Sequence, residues 1–178
     1  TVINKKQIKK PRSFQVACTV LTQIIAQIAS NQYGGQSVDL RHLAQFLPIS
    51  HEKYYNTIIE EVQDEEIAKK IAAKMTKREL QSGIQTIQYQ VNTLLTTNGQ
   101  APFVTMFMNI KEGMPYEKEM AMIIEEVLSQ RIEGIENAVG VKLTPSFPKL
   151  VYVLNESTTK GGKYYYLTEL AAKCTAKR

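Results

Sequence analysis

Residues 103–110 read Phe-Val-Thr-Met-Phe-Met-Asn-Ile, a nearly continuous apolar run with the length of one strand. Such runs are typical of strands covered on both faces, as in parallel sheets. Residues 150–154, Leu-Val-Tyr-Val-Leu, form a second run of this kind, and residues 36–40 predict a shorter strand. Because helical patterns separate these strands, the sequence predicts an α/β fold with the helices outside the sheet.

A further strand is predicted at residues 13–19, Ser-Phe-Gln-Val-Ala-Cys-Thr, with Phe14, Val16 and Cys18 on one face. Cys18 would then end a strand just before a helix, where α/β folds place functional groups. A nearby helix N-terminus also favours the thiolate form of a cysteine. The alternative is that Cys18 is a small buried apolar residue, as unpaired cysteines often are.

Helical periodicity fills the segments between the strands, and Ser50 and Asp64 are predicted N-caps. The apolar stripes are Leu21, Ile24, Ile25 and Ile28; Tyr54, Ile58, Ile59 and Val62; Leu80, Ile84, Ile87, Val91 and Leu94; Met120, Ile123, Ile124, Val127 and Leu128; and Leu167, Leu170, Ala171 and Cys174.

The stripe from Leu80 to Leu94, called the seam below, steps by 4, 3, 4 and 3 residues. This narrow spacing is typical of two helices packed at a shallow angle. We predict that the seam lies at or next to a contact between subunits, with packing inside the chain as the alternative. Gly83 lies within the seam, where glycine costs up to about 1 kcal/mol relative to alanine, so a close packing contact is predicted there.

Composition excludes several classes of protein. The 178 residues are 43% hydrophobic and 22% charged, with 9 Gly and 6 Pro, which is unlike disordered or collagen-like chains. No apolar run approaches the roughly 20 residues that a membrane span needs. The net charge of +5 is concentrated at the two ends, but aromatic residues do not alternate with these lysines, so direct nucleic-acid binding is not expected.

Two cysteines and two histidines limit the metal and redox chemistry. Cys18 and Cys174 are far apart and follow no signal peptide, which favours a reducing cytoplasm over a disulfide. Without a Cys-x-x-Cys or paired histidines, a metal site within this chain is not expected. Gly34-Gly35 and Gly161-Gly162 lack the spacing of phosphate-binding loops.

Several distinctive blocks follow one another along nearly the whole chain. They are Lys10-Pro11-x-Ser13-Phe14, Ala17-Cys18-Thr19, Thr22-Gln23-Ile24-Ile25-Ala26-Gln27, Ala29-Ser30-Asn31-Gln32-Tyr33-Gly34-Gly35-Gln36-Ser37, Thr96-Thr97-Asn98-Gly99-Gln100-Ala101-Pro102-Phe103-Val104-Thr105, Pro148-Lys149-Leu150-Val151-Tyr152-Val153-Leu154, and the run from Tyr164 to Cys174. Together, in this order, they resemble the anaerobic (class III) ribonucleoside-triphosphate reductases, which are glycyl radical enzymes. These enzymes are several times longer, so residues 1–178 are expected to be an internal fragment of the catalytic barrel domain.

The resemblance implies a ten-stranded α/β barrel, of which this chain supplies the first portion. It also implies anaerobic reduction of ribonucleoside triphosphates to deoxyribonucleotides, the precursors of DNA synthesis. In the family, a glycyl radical passes to a cysteine thiyl that abstracts a ribose hydrogen. The resemblance places the thiyl loop, the glycyl radical and a zinc–cysteine cluster beyond Arg178, so the fragment alone is expected to be inactive.

By motif position, the resemblance matches Cys18 to a second catalytic cysteine on the first barrel strand. Ser13, at the start of that predicted strand, is a candidate for ribose or phosphate binding. The expected partners are ATP and deoxynucleotide effectors, a radical SAM activase and a second subunit, with residues 50–97 near the dimer and effector region. The electron donor and the effector-binding residues are left open.

Two alternatives accompany this interpretation. One is the barrel of another glycyl radical enzyme, such as the pyruvate formate-lyase group. The other is a nucleotide-binding or dimerisation module without catalytic activity. A downstream cysteine loop and a C-terminal glycyl-radical motif would distinguish the reductase from the binding module.

Overall fold

The computed structural model describes residues 2–3, 6–7, 9–32, 34–93, 102–136, 140–145 and 147–177. Short strands and longer helices alternate along the chain. In order, they are β1 (Val2–Ile3), β2 (Lys6–Gln7), α1 (Phe14–Asn31), β3 (Gln36–Asp39), α2 (Arg41–Ala44), α3 (Phe46–Val62), α4 (Glu65–Thr93), β4 (Val104–Met108), α5 (Glu117–Glu133), β5 (Ile135–Glu136), β6 (Lys142–Leu143), β7 (Lys149–Tyr152) and α6 (Tyr165–Lys177).

The central sheet has three parallel strands in the order β3-β4-β7. The strands predicted at residues 36–40, 103–110 and 150–154 are therefore confirmed. Two small antiparallel pairs, β1-β2 and β5-β6, lie outside this sheet. A ten-stranded barrel is not visible in these three strands and stays a prediction.

The sheet has one packed face and one open face. On β4, Val104, Met106 and Met108 are buried, whereas Thr105 and Phe107 are only partly buried. The packed face contacts α1, α4 and α5, which contribute Ile25, Ile84 and Val127 among others to the core. The prediction that these strands are covered on both faces is thus wrong for the described residues.

The strand predicted at residues 13–19 is also wrong, because Phe14–Asn31 form helix α1. The buried residues of this segment follow helical spacing, while Val16 is 48% exposed; they are Phe14, Ala17, Cys18, Thr22 and Ile25. Ser13 is the N-cap of this helix and not the start of a strand. The alternation of Phe14, Val16 and Cys18 is too short to distinguish the two-residue period of a strand from the 3.6-residue period of a helix.

Helix α4 carries the seam, and its buried residues Leu80, Ile84, Ile87 and Val91 belong to the chain's own core. These four residues therefore pack within the chain, which is the alternative to a contact between subunits. Leu94 lies outside the described residues. The proximity of residues 50–97 to a subunit contact stays a prediction, since the structure of a single chain does not test it.

Helices α1 and α4 run in the same direction and contact each other through polar groups as well as apolar ones. The Gln15 side chain donates to Thr86 Oγ1 at 2.9 Å. Further along both helices, the Thr22 hydroxyl contacts the side-chain oxygen of Gln90. These contacts fix how the two helices are aligned along their axes.

Gly83 packs directly against Phe14 and Cys18 of α1, which confirms the predicted packing contact. A Cβ atom at this position would lie 2.7 Å from Phe14 Cε1 and 3.0 Å from Cys18 Sγ. Both neighbours are fully buried.

We expect Gly83→Ala to lower the free energy of unfolding by about 1–2 kcal/mol, because overpacking a core costs roughly 1–3 kcal/mol. Helix propensity alone predicts the opposite sign, a gain of about 1 kcal/mol. Urea unfolding of the protein measures the difference. Ser82→Ala, at the exposed neighbouring position, is the control and should change stability by less than about 0.5 kcal/mol. Stabilisation by Gly83→Ala would contradict the close contact.

Candidate functional site

The N-terminus of α1 contains both residues that the sequence singled out, Ser13 and Cys18. Side chains satisfy its first three N–H groups. Phe14 N donates to Ser50 Oγ at 2.8 Å, Gln15 N to Glu79 Oε1 at 2.8 Å and Val16 N to Ser13 Oγ at 3.3 Å. This helix end is therefore closed by groups from α3 and α4, and it offers no free N–H group to an anion.

The prediction that Ser50 is the N-cap of its own helix is wrong. Ser50 lies inside α3, is fully buried and accepts the hydrogen bond that caps α1. Asp64, by contrast, caps α4 as predicted, since its Oδ1 accepts from Ile67 N at 3.0 Å. The role of Ser50 depends on a partner 36 residues away, which local sequence does not reveal.

Ser13 is 8% exposed and its hydroxyl serves the helix cap. Cys18 lies in the second turn of α1, is 0% exposed and packs at Gly83. Burial, reinforced by the negative charge of Glu79, raises the pKa of the Cys18 thiol far above its usual value. The structure therefore keeps this thiol protonated. The expected strand-end position, which would have favoured thiolate, is wrong. The burial of Cys18 against α4 favours the alternative role, that of a small apolar packing residue. The catalytic role stays a prediction that rests on the resemblance alone.

We expect Cys18→Ala in the complete protein to lower the free energy of unfolding by about 1–2 kcal/mol and to leave turnover near normal. The physical reason is that Cys18 fills space between α1 and α4, so its removal leaves a small cavity. Denaturation and product formation, measured on the same preparation, separate the two roles. Loss of product at unchanged stability would instead support the catalytic role that the sequence predicts.

Cys174 is on α6, far from Cys18 along the chain, and neither cysteine forms a disulfide within the described residues. Near Cys174 lies Arg131 of α5, which is 8% exposed. Its guanidinium donates to Pro145 O at 3.0 Å and to Pro148 O at 2.6 Å, and Nε has no hydrogen-bond partner in the described part of the chain. Arg131 thus holds the segment that leads into β7.

Loops at the carboxyl ends of β4 and β7 are bonded to each other. Asn155 Nδ2 donates to Ile110 O at 2.7 Å, and Glu112 N donates to Ser157 Oγ at 3.0 Å. An ion pair of 2.5 Å joins Lys163, in the loop after β7, to Glu117, the first residue of α5. These bonds give the carboxyl end of the sheet a fixed frame, which is where open α/β sheets bind ligands.

The open face of the sheet carries two rows of side chains that the sequence reasoning missed. Strand register aligns Ser37, Thr105 and Lys149 in one row. The next row toward the carboxyl ends consists of Asp39, Phe107 and Val151. The signal in the sequence is the polar residues at alternate positions of the strands, but their shared face depends on a register that the sequence does not specify.

Asp39 is paired with Arg41. The Arg41 side chain donates through Nε at 2.8 Å and Nη2 at 2.5 Å to Asp39 Oδ2, and Arg41 N donates to Oδ1 at 2.9 Å. Partial burial acts to raise the pKa of the Asp39 carboxyl, but the bonds and charge of Arg41 outweigh it and hold the pKa below its usual value. The carboxylate on the open face is therefore charged and locally neutralised.

Two grooves flank the packed side of the fold. One of about 850 Å³ lies between α4 and α5, and its rim includes Glu125, Glu126, Glu133 and Glu136. Lys77 and Lys142 also line this groove, so four carboxylates face two ammonium groups and the net charge is negative, which disfavours phosphate. The other, of about 520 Å³, is largely apolar and lies between α1 and the outer edge of β3.

Within the described residues, no group of three or more His, Cys, Asp or Glu side chains is placed to hold a metal ion. Nor does any helix there combine the length and apolar character that crossing a membrane requires.

Comparison with known proteins relates the whole chain to one family. A family model described as anaerobic ribonucleoside-triphosphate reductase matches residues 1–178. Proteins named anaerobic ribonucleoside-triphosphate reductase are similar to the chain at 36% identity over 177 residues in Escherichia coli (strain K12), 33% over 180 residues in Enterobacteria phage T4, and 34% over 177 residues in Haemophilus influenzae. These alignments cover 97%, 99% and 97% of this chain, but only 24%, 28% and 24% of the relatives. The chain thus spans about a quarter of their length.

Proposed function

Because the chain belongs to the anaerobic ribonucleoside-triphosphate reductase family, we propose that the complete protein reduces ribonucleoside triphosphates to deoxyribonucleoside triphosphates. The observation that carries this proposal is the match over all 178 residues, which no short motif explains. The chain's part is to supply one section of the wall of the catalytic barrel. The one-sided sheet supports this role, since a barrel wall has helices outside and bare strands inside.

The radical chemistry of the family belongs to the same proposal. A glycyl radical and a cysteine thiyl, both outside these residues, supply the one-electron chemistry on ribose, and zinc is bound elsewhere in the polypeptide. The described residues contribute a rigid wall and the open face. ATP and deoxynucleotide effectors, a radical SAM activase, a homodimeric state and a cytoplasmic location complete the proposal, which is carried by family membership.

The activity test uses the complete protein, purified without oxygen and activated by its radical SAM partner. We expect the activated protein to convert a ribonucleoside triphosphate into the corresponding deoxyribonucleoside triphosphate. Chromatography of the reaction products measures this conversion. Residues 1–178 alone should form none. An activated full-length protein that binds nucleotides but forms no deoxynucleotide would contradict the reductase and favour a binding module.

The proposed barrel predicts that the outer edge of β3 is paired with another strand. Gln36 N and Leu40 N donate to Phe103 O and Phe107 O of the β4 segment. Because N–H groups alternate along a strand, those of Ser37 and Asp39 point toward the opposite edge. If another strand of the polypeptide completes the barrel there, both amides should exchange slowly with deuterium in the complete protein. Rapid exchange at Ser37 and Asp39 would show that this edge is unpaired.

A further inference from the structure

The row formed by Ser37, Thr105 and Lys149 places three hydrogen-bond donors side by side on the open face. Register joins Ser37 to Thr105 and Thr105 to Lys149. Neighbouring strands lie about 4.8 Å apart, so the two hydroxyl-bearing residues are adjacent and the lysine is one strand further. The lysine has a long, flexible stem, which lets its ammonium reach back over Thr105.

The polar ends of this row are available to a ligand. Ser37 and Lys149 are exposed, and Thr105 is partly buried. Within the part of the chain that the structure describes, Lys149 takes part in none of the three ion pairs. The row contains no carboxylate. The nearest one on this face, Asp39, is neutralised by Arg41.

We propose that Ser37, Thr105 and Lys149 form a binding site for a phosphate group. Two hydroxyl donors and an ammonium suit a compact dianion, which lysine binds as a point charge. Phe107 and Val151 lie in the next row, about 7 Å along the strands, and offer an apolar surface beside the phosphate. This arrangement fits a phosphate that is part of a nucleotide, and that choice of ligand rests on the proposed function.

The test uses the complete protein and three probes, namely inorganic tripolyphosphate, CTP and unphosphorylated cytidine, in titration calorimetry at low salt. We expect Lys149→Met to weaken binding of tripolyphosphate and CTP by about tenfold or more, the effect of losing one charge-assisted bond. Thr105→Val, which keeps the shape of the side chain, should weaken both by severalfold. Cytidine binding should not change.

Two controls separate the site from general charge effects and from misfolding. Lys74→Met removes an exposed lysine from α4, which packs on the other face of the sheet, and should leave binding within about twofold. Lys149→Arg should retain most of the affinity, because a guanidinium also binds phosphate. Circular dichroism melting confirms that each variant is folded.

The outcomes decide between sources of the phosphate. A loss for tripolyphosphate and CTP together supports the nucleotide as ligand, whereas a loss for tripolyphosphate alone supports a site for free phosphate. Unchanged binding of both probes in Lys149→Met and Thr105→Val overturns the proposal, as does an equal loss in Lys74→Met. Binding is read without turnover, so failure of the reductase assay leaves this result interpretable.

Discussion

Ile87→Glu is expected to unfold the part of the protein built by this chain, not to separate folded subunits. Ile87 is 1% exposed in the core between α4 and the sheet. The substitution removes a buried apolar side chain and places a carboxyl beside the apolar side chains of Leu40, Met106 and Val127. Together these changes should cost at least about 4 kcal/mol, a large part of the roughly 5–15 kcal/mol that stabilises a typical domain.

The measurement combines analytical ultracentrifugation with circular dichroism of the complete protein. Any loss of dimer should follow loss of helix signal. Gln85→Glu, at an exposed position of the same helix, is the matched control and should cost less than about 0.5 kcal/mol. Because burial raises the pKa of a carboxyl, the defect in Ile87→Glu should lessen as pH falls toward about 5. Dissociation into fully folded subunits would instead place the seam at the subunit contact.

Arg131→Met should destabilise the protein by about 2–4 kcal/mol. The variant keeps most of the apolar stem but leaves two buried carbonyl groups, Pro145 O and Pro148 O, without their donor, and each such loss costs roughly 1–3 kcal/mol. Chemical denaturation gives the value, and faster hydrogen exchange at β7 locates the damage. Arg78→Met, which removes an exposed arginine, should have little effect.

Arg131→Lys distinguishes hydrogen bonding from charge. An ammonium keeps the positive charge but lacks the planar fork that donates to both carbonyls at once. We expect it to recover only a minor part of the lost stability. Full recovery would show that the charge, and not the paired donors, holds the segment before β7.

The sequence predicts a strand correctly where an apolar run has about the length of one strand. Residues 104–108 and 149–152 fall within or next to such runs, and Gly83 signals a close contact because glycine is unfavourable in a helix. Residues 13–19 are misassigned from sequence, since the groups that start α1, Ser50 and Glu79, come from 36 and 64 residues away. Pairings of that length are set by tertiary structure and leave no local pattern.

The candidate sites show the same limit. A cysteine near the start of a helix is reactive only if the helix end is free, and here side chains from α3 and α4 occupy it. The polar row of the open face is hidden for a different reason. Ser37, Thr105 and Lys149 are distant in sequence, and only the register of three parallel strands aligns them.

The polar contacts between α1 and α4 have a mechanical consequence. Gln15 with Thr86, and Thr22 with Gln90, engage at one alignment of the two helices. A shift of one helical turn, about 5.4 Å, would break both contacts together with the Glu79 cap and would drive Phe14 away from Gly83. At smaller shifts the two helices lose these contacts without forming new ones, so sliding of α1 along α4 costs free energy. A force along the axis of α1 is therefore expected to move α1 and α4 together as one rigid unit.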